Sequence, residues 1–220
     1  GLTHENVFAV SRYGDPRHAA ACLDASGELA SGELWEPFPE ARIRELAARP
    51  EGAIRRETRL LDDYGAAILE AGDFAGRHSA GLNYSSLQGH RQVDTLNLEL
   101  YARQLYLLQD LGYPKTWEHR WQWDANSMAH NTVTVDETQA DHSRLGGHAR
   151  LMATAGGVHV VSASHPAYRG VRLGRPEASP VSVYERTVVM VAVDPGRYYL
   201  VDLFAVDGGE VHDQSWHAFA

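Results

Sequence analysis

The chain has 220 residues, 20 basic against 29 acidic for a formal charge of −9, and one cysteine, Cys22. That balance argues against nucleic acid and anionic membranes as partners, although local arginines can still dominate a cleft that takes an acidic polysaccharide. No window is apolar enough to cross a bilayer, and a single cysteine permits no internal disulfide.

The length suits one large domain, or a β-rich domain with a helical appendage. Gly1–Val10 lacks the charged and apolar regions of a signal peptide. Thr3 is placed to cap a helix over His4–Tyr13, and Gly14-Asp15-Pro16 breaks the helix and restarts it with Pro16 in the first turn. The restarted helix, Arg17–Ala25, is alanine-rich and ends near Gly27. Residues 26–38 read as loop, with Trp35 and Phe38 placed to pack back. A second helical segment, Pro39–Ala48, is closed by Pro50-Glu51-Gly52.

From about Arg59 short apolar or alternating runs recur between glycine, proline and aspartate: Tyr64–Glu70, Leu96–Leu108, Thr132–Val135, Val158–Ser162, Thr187–Val193 and Tyr198–Val206. Asp194-Pro195-Gly196 makes the last two the clearest hairpin. Many strands with short turns imply a mainly β fold, an antiparallel sandwich or large sheet. Gln214–Ala220 stops in a strand-like run with Trp216 and Phe219, where a natural C-terminus usually frays in polar residues, so the chain reads as a fragment.

The densest polar constellation is His90-Arg91-Gln92-Val93-Asp94, running into Leu96-Asn97-Leu98-Glu99-Leu100-Tyr101. In an extended chain His90, Gln92 and Asp94 share a face that Leu96, Leu98 and Leu100 continue into the core. Such a triplet either presents a site at a sheet rim or is an exposed polar strand end. Asp110 follows an apolar strand and precedes a turn, the place of a functional or a turn-capping carboxylate. His130 stands where a strand begins. Gln92, Asp110 and His130 together offer two oxygens and a nitrogen, a loose metal set.

The order H-x-Q-x-D-x-L-N-L-x-L-Y (His90–Tyr101), L-x-D-L-G-Y-P (Leu108–Pro114), Trp117 and A-H-N-T-V-x-V-D-x-x-Q (Ala129–Gln139) resembles the signature of the heparinase II/III-like polysaccharide lyases. Glu185-Arg186-Thr187, Tyr199–Phe204 and Gly208-Gly209 through His212 extend the likeness, and Asp-Leu-Gly-Tyr-Pro looks closest to the oligo-alginate lyase-like branch. The resemblance implies the closing helices of an α/α toroid over 1–52 and the N-terminal part of a β-sandwich over 53–220. It implies a parent enzyme, periplasmic or secreted, that cleaves a uronate-containing glycan by β-elimination, with the rest of the toroid as the cleft's other wall. His90 matches the family's substrate-facing histidine, and Asp110 and His130 match ligands of a structural zinc. Gln92 stands where the third ligand, a histidine, is usual, and an amide oxygen binds zinc far less well than imidazole.

Around these, Tyr84, Arg91 and Trp117 are candidate substrate contacts. Tyr84 equally suits a half-buried loop, Arg91 a salt bridge on the opposite face, and Trp117, Trp121 and Trp123 either sugar stacking or packing. His212 and His217 read as structural, and Glu185-Arg186 as an ion pair at a strand start. Two readings compete with the lyase: a non-catalytic carbohydrate-binding sandwich, which Gln92 favours, and a metal-dependent hydrolase using Asp110 and His130.

Overall fold

The computed structural model describes residues 4–23, 27–29, 39–52, 57–72, 76–85, 92–103, 105–112, 123–141, 146–166, 168–172, 175–194 and 196–218. They belong to two compact units, 1–56 and 57–220.

In the first unit, α1 (His4–Tyr13) stops at Gly14, whose φ of +64° a side chain would resist. The Asp15 carboxylate then accepts the Arg17 N–H at 2.8 Å and caps α2 (Pro16–Ala21), with Pro16 in the first turn. α2 is shorter than the alanine-rich pattern suggests, because Leu23 leaves the helix to bridge Leu29. α3 (Glu40–Ala47) presents Ile43 and Leu46 to a small core shared with Val10, Ala19 and Cys22. Trp35, Phe38 and Thr3 lie outside the described residues.

The second unit opens with a five-stranded antiparallel meander: β1 (Arg59–Leu61), β2 (Ala66–Ala71), β3 (His78–Asn83), β4 (Asn97–Ala102) and β5 (Leu105–Leu108), in that order. β6 (Val133–Val135) follows, and β7 (Gln139–Ala140) next. β8 (His148–Ala155) and β9 (Val158–Ser164) form a hairpin; β10 (Arg169–Arg172) and β11 (Arg175–Pro180) form another. β12 (Val183–Asp194), β13 (Arg197–Asp207) and β14 (His212–Gln214) complete the order. A four-stranded sheet runs β13-β12-β9-β8, β7 pairs β10, and β14 pairs β6. Ala67, Leu69, Leu82 and Leu98 of the meander share one core with Val161, Ala163, Val188 and Met190 of the four-stranded sheet. Two sheets whose inner faces interdigitate in this way are an antiparallel β-sandwich, as the strand pattern implied. Each fully buried Leu or Val contributes about 1.5–3 kcal/mol by leaving water.

Two readings of the sequence need correction. The run Leu96–Leu108 is two strands, because the chain reverses after Ala102: Arg103 takes a φ of +51° and donates its N–H to Arg77 O at 2.8 Å. Glu185 and Arg186 do not pair with each other, since successive strand residues face opposite sides. Glu185 faces outward, accepting from Ser162 at 2.8 Å and pairing with Arg150. Arg186 is fully buried and bonds Asp202.

Gly65 closes the turn between β1 and β2. Its φ is +83°, and a Cβ there would stand 2.6 Å from Ser85 Cα. Gly65→Ala is therefore expected to lower stability by about 2 kcal/mol, read as a reduced urea midpoint at unchanged m-value.

Candidate functional site

The chain enters β4 through a turn, not an extended strand. Asn97 N–H bonds Asp94 O at 2.9 Å, and Leu96 adopts a φ of +57°. The expected alternation from residue 90 through residue 100 is therefore broken at 94–96. What holds the turn is polar: Val93 N–H reaches Ala125 O at 3.0 Å, and the Asn83 amide donates to the Asp94 carboxylate. Leu96 and Leu98 are still fully buried, so the apolar half of the pattern anchors the polar half.

Behind this turn lies a buried network centred on Asp110, just past the end of β5. Its Oδ1 accepts the Gly112 N–H at 2.6 Å, a local turn cap. Its Oδ2 meets His130 Nδ1 at 2.8 Å and accepts from Asn97 Nδ2 at 3.1 Å. Asn97, itself buried, accepts the Asn131 N–H on its Oδ1 at 2.8 Å, so one amide ties β4 to the segment after His130. Gln92 donates from Nε2 to Gly112 O at 2.7 Å. His130 follows a short 3-10 turn, Ser127–Ala129, capped by Asn126, and its side chain has no solvent exposure.

Burial alone would push both members of the pair toward neutrality; their mutual contact reverses it. Desolvation draws the His130 imidazole down, but the bond and charge of Asp110, with Asp94 behind, leave it above its ordinary value. Desolvation likewise raises Asp110, and His130, Gly112 and Gln92 more than offset it, leaving the carboxyl low. Asp94 behaves otherwise: burial lifts it to about 6 against the pull of His130.

A groove of about 470 Å³ opens over the outer face of the meander, lined among others by Arg77, Gln92, Asp94, Glu99, Tyr101 and Asp110. Arg77 lies 5.1 Å from the Tyr101 ring centroid and pairs with Glu70 at 2.6 Å. Glu99 is raised by burial and by the neighbouring Asp110 and Asp94. The structure thus brings Gln92, Asp110 and His130 together with Asp94, which the sequence had set on one face with Gln92, and adds Asn97 and Glu99, which reading by motif passed over. Their signal was present: polar residues alternating with buried leucines along β4.

Tyr84 is corrected: it is 1% exposed, packs in the sandwich core and donates its hydroxyl to Asp62 at 3.1 Å, so burial withholds it from contact with a substrate. His90, Arg91, Trp117 and Trp121 lie outside the described residues. Trp123 meets the His217 ring edge-on at 6.1 Å. His217 bonds Met128 O at 2.6 Å, and His212 bonds Gly208 O at 2.8 Å.

As they stand, these residues do not fit a zinc ion. His130 Nδ1 is committed to the carboxylate, and both Asp110 oxygens already have partners. The remaining imidazole nitrogen, Nε2, buried without a hydrogen-bond partner among the described residues, lies across the ring from Asp110, so one ion cannot reach both as they stand. Gln92 turns its NH2, a donor without a lone pair to offer, toward the cluster. Among the described residues no group of three His, Cys, Asp or Glu side chains is arranged to hold a metal. Nor is any described helix long and apolar enough to cross a membrane.

Residues 53–219 match the family model described as heparinase II/III-like, C-terminal. No curated protein matches the chain. Among solved structures, a heparinase III with methylated lysines is 19% identical with a TM-score of 0.55, covering 76% of this chain and 24% of that one. A heparan sulfate lyase from Pedobacter heparinus is 16% identical with a TM-score of 0.52, covering 73% and 24%. At such identities the likeness is one of fold, and the chain spans about a quarter of the length of either structure.

Proposed function

The chain belongs to the heparinase II/III-like family through residues 53–219, and on that premise we propose that it is part of a polysaccharide lyase, cleaving a uronic-acid-containing glycan by β-elimination. The observation that carries the reading is the family match over the whole sandwich unit. The groove beside the Asp110–His130 network agrees with it, because it puts a rigid polar rim within reach of a bound sugar. In this reading residues 1–52 are closing helices of an α/α toroid, the enzyme is periplasmic or secreted, and the isolated chain is inactive.

The chemistry sets what the rim must do. Removing the weakly acidic C5 proton of a uronate places charge on its C6 carboxylate, which donors or cations must meet as it forms. A base at C5 and an acid at the C4 leaving oxygen complete the elimination. His90, two residues before Gln92, is assigned the substrate-facing part, since imidazole can be tuned to take or give the proton near neutral pH. Arg91 and Trp117 are assigned to substrate binding. Asp110, His130 and Asn97 hold the rim in place.

A second reading has its own support. The groove is lined by Asp94, Glu99 and Asp110, an unwelcoming surface for a polyanion, and a carbohydrate-binding sandwich for a less acidic glycan would tolerate it. Ultraviolet absorbance of unsaturated uronate, with the full-length protein on alginate, heparan sulfate, hyaluronan and ulvan, separates the two. A rise on one substrate is expected and names its class; silence on all four from folded protein leaves the binding reading.

A further inference from the structure

We propose that the Asp110–His130 cluster of this chain is a metal-free hydrogen-bonded brace, in which the Gln92 amide supplies as a donor the link that a third metal ligand would otherwise supply. Three segments meet at the cluster: the turn into β4, the end of β5, and the approach to β6. A bound cation would join them by taking lone pairs from each. Here hydrogen bonds do the joining. Asp110 accepts on both oxygens, from Gly112 N–H at 2.6 Å, from Asn97 Nδ2 at 3.1 Å, and from His130 Nδ1 at 2.8 Å. Gln92 closes the set by donating to Gly112 O at 2.7 Å, so the turn that Asp110 caps is gripped from both sides.

The orientation of Gln92 is what decides the matter. Turning the amide over to offer its oxygen to a cation would set that oxygen against the Gly112 carbonyl and cost a hydrogen bond. His130 keeps a second nitrogen, Nε2, buried without a hydrogen-bond partner among the described residues, but it lies across the ring from the carboxylate. A cation ligated by both His130 and Asp110 would therefore have to part Nδ1 from Oδ2 at a wholly buried imidazole. Neither rearrangement yields more than two good ligands, one carboxylate and one imidazole, short of the three or four that a protein zinc site uses. A histidine at 92 would change this, since an imidazole nitrogen is both a strong ligand and long enough to take the amide's place.

The test does not depend on the lyase reading, because metal content and melting are measured without activity. The full chain, purified without chelator, is expected to carry far less than one zinc and to melt at the same temperature with EDTA or with added zinc. Gln92→His is expected to bind about one zinc per chain and to gain about 5 °C in Tm at a hundredfold excess over its Kd, reversed by EDTA. Should that variant fail to fold, Gln92→Glu, nearly the same shape with a ligating oxygen, takes its place. Stoichiometric zinc in the unsubstituted chain with a lower Tm in EDTA overturns the proposal. So does a folded Gln92→His or Gln92→Glu protein that takes up no more zinc than the original.

Discussion

Replacing Arg186 with leucine is expected to cost about 3–5 kcal/mol of unfolding free energy, the range for removing one partner of a buried ion pair. The guanidinium is wholly buried on β12 and uses each of its nitrogens. Nε and Nη2 each meet a separate Asp202 oxygen at 2.8 Å. Nη1 donates to Leu96 O at 2.8 Å and to Asn131 O. The Phe204 and Trp216 rings lie 5.2 and 5.4 Å away. Leucine restores some apolar volume but strands Asp202, only 13% exposed, and takes a donor from two buried carbonyls, of which Asn131 O keeps the Leu98 N–H at 3.2 Å, at about 1–3 kcal/mol for each group left unsatisfied. Arg186→Leu combined with Asp202→Leu removes the stranded carboxylate and so should recover part of the loss, but not the share owed to the carbonyls. Urea titration of the three variants measures both quantities. A single-variant loss under about 1 kcal/mol would reduce the arginine to an ordinary position.

The same contact shows why the site is rigid. Leu96 immediately precedes Asn97, and Asn131 immediately follows His130. One cation from the four-stranded sheet therefore clamps both backbone segments that carry the Asp110 network. Freed of it, Leu96 has less reason to hold its φ of +57°, and the turn that positions Asp94 and Gln92 loses its anchor.

Arg186 also marks where reading the sequence stopped short. The strands with strong apolar alternation, β12 and β13, and the turn between them were legible because one face of each turns inward, buried over much of β12 and half-buried along β13. The charged residue inside that alternation was read as half of an ion pair with its neighbour Glu185, since arginine is seldom fully buried. Its partner, Asp202, lies on the neighbouring strand, directly opposite Val188 and not opposite Arg186, a relation only register reveals. β8 was missed because three of the five apolar residues in His148–Ala155 are alanine, a weak strand former; Gly156-Gly157, both at positive φ, was the usable hairpin signal. Of the site, Asp110 and His130 could be picked out by their places at strand ends. Asn97 could not, because a buried amide bridging two segments looks in sequence like any polar residue in a strand. The donor face of Gln92 was equally invisible: whether an amide offers oxygen or nitrogen is settled by the Gly112 carbonyl, twenty residues away.

Stability is expected to be greatest in mild acid and to fall as pH rises from about 4 to about 6, with Asp94 the main cause. Its carboxyl titrates at about 6 in the fold against 3.8 ordinarily, because burial disfavours the charged form. Between those values the unfolded chain has lost the proton and the folded chain still holds it, so the native state binds more protons and unfolding becomes easier with rising pH. A shift of that size corresponds to about 3 kcal/mol at most, complete above pH 6. Every group facing Asp94 must be weighed. Glu99, also raised by burial, acts in the same direction. Asn83 donates to the Asp94 carboxylate and does not titrate. The His130 imidazole, raised overall, contributes stability that is complete below its ordinary 6.5 and is lost as pH climbs through its folded value. Asp110, lowered, contributes stability present above its ordinary 3.8 and lost only as pH falls through its folded value. The four together leave a maximum near pH 4, where the Asp110 contribution is nearly complete and the Asp94 loss is beginning. Asp94→Asn keeps a polar group for Asn83 and removes the titration, so the fall between pH 4 and 6 should shrink by the larger part while a decline above pH 6.5 persists. Urea midpoints measured from pH 4 to 8 on both proteins decide it. A profile that rises over that range, or one that Asp94→Asn leaves unchanged, would show that water reaches Asp94 freely and that the turn into β4 opens in solution.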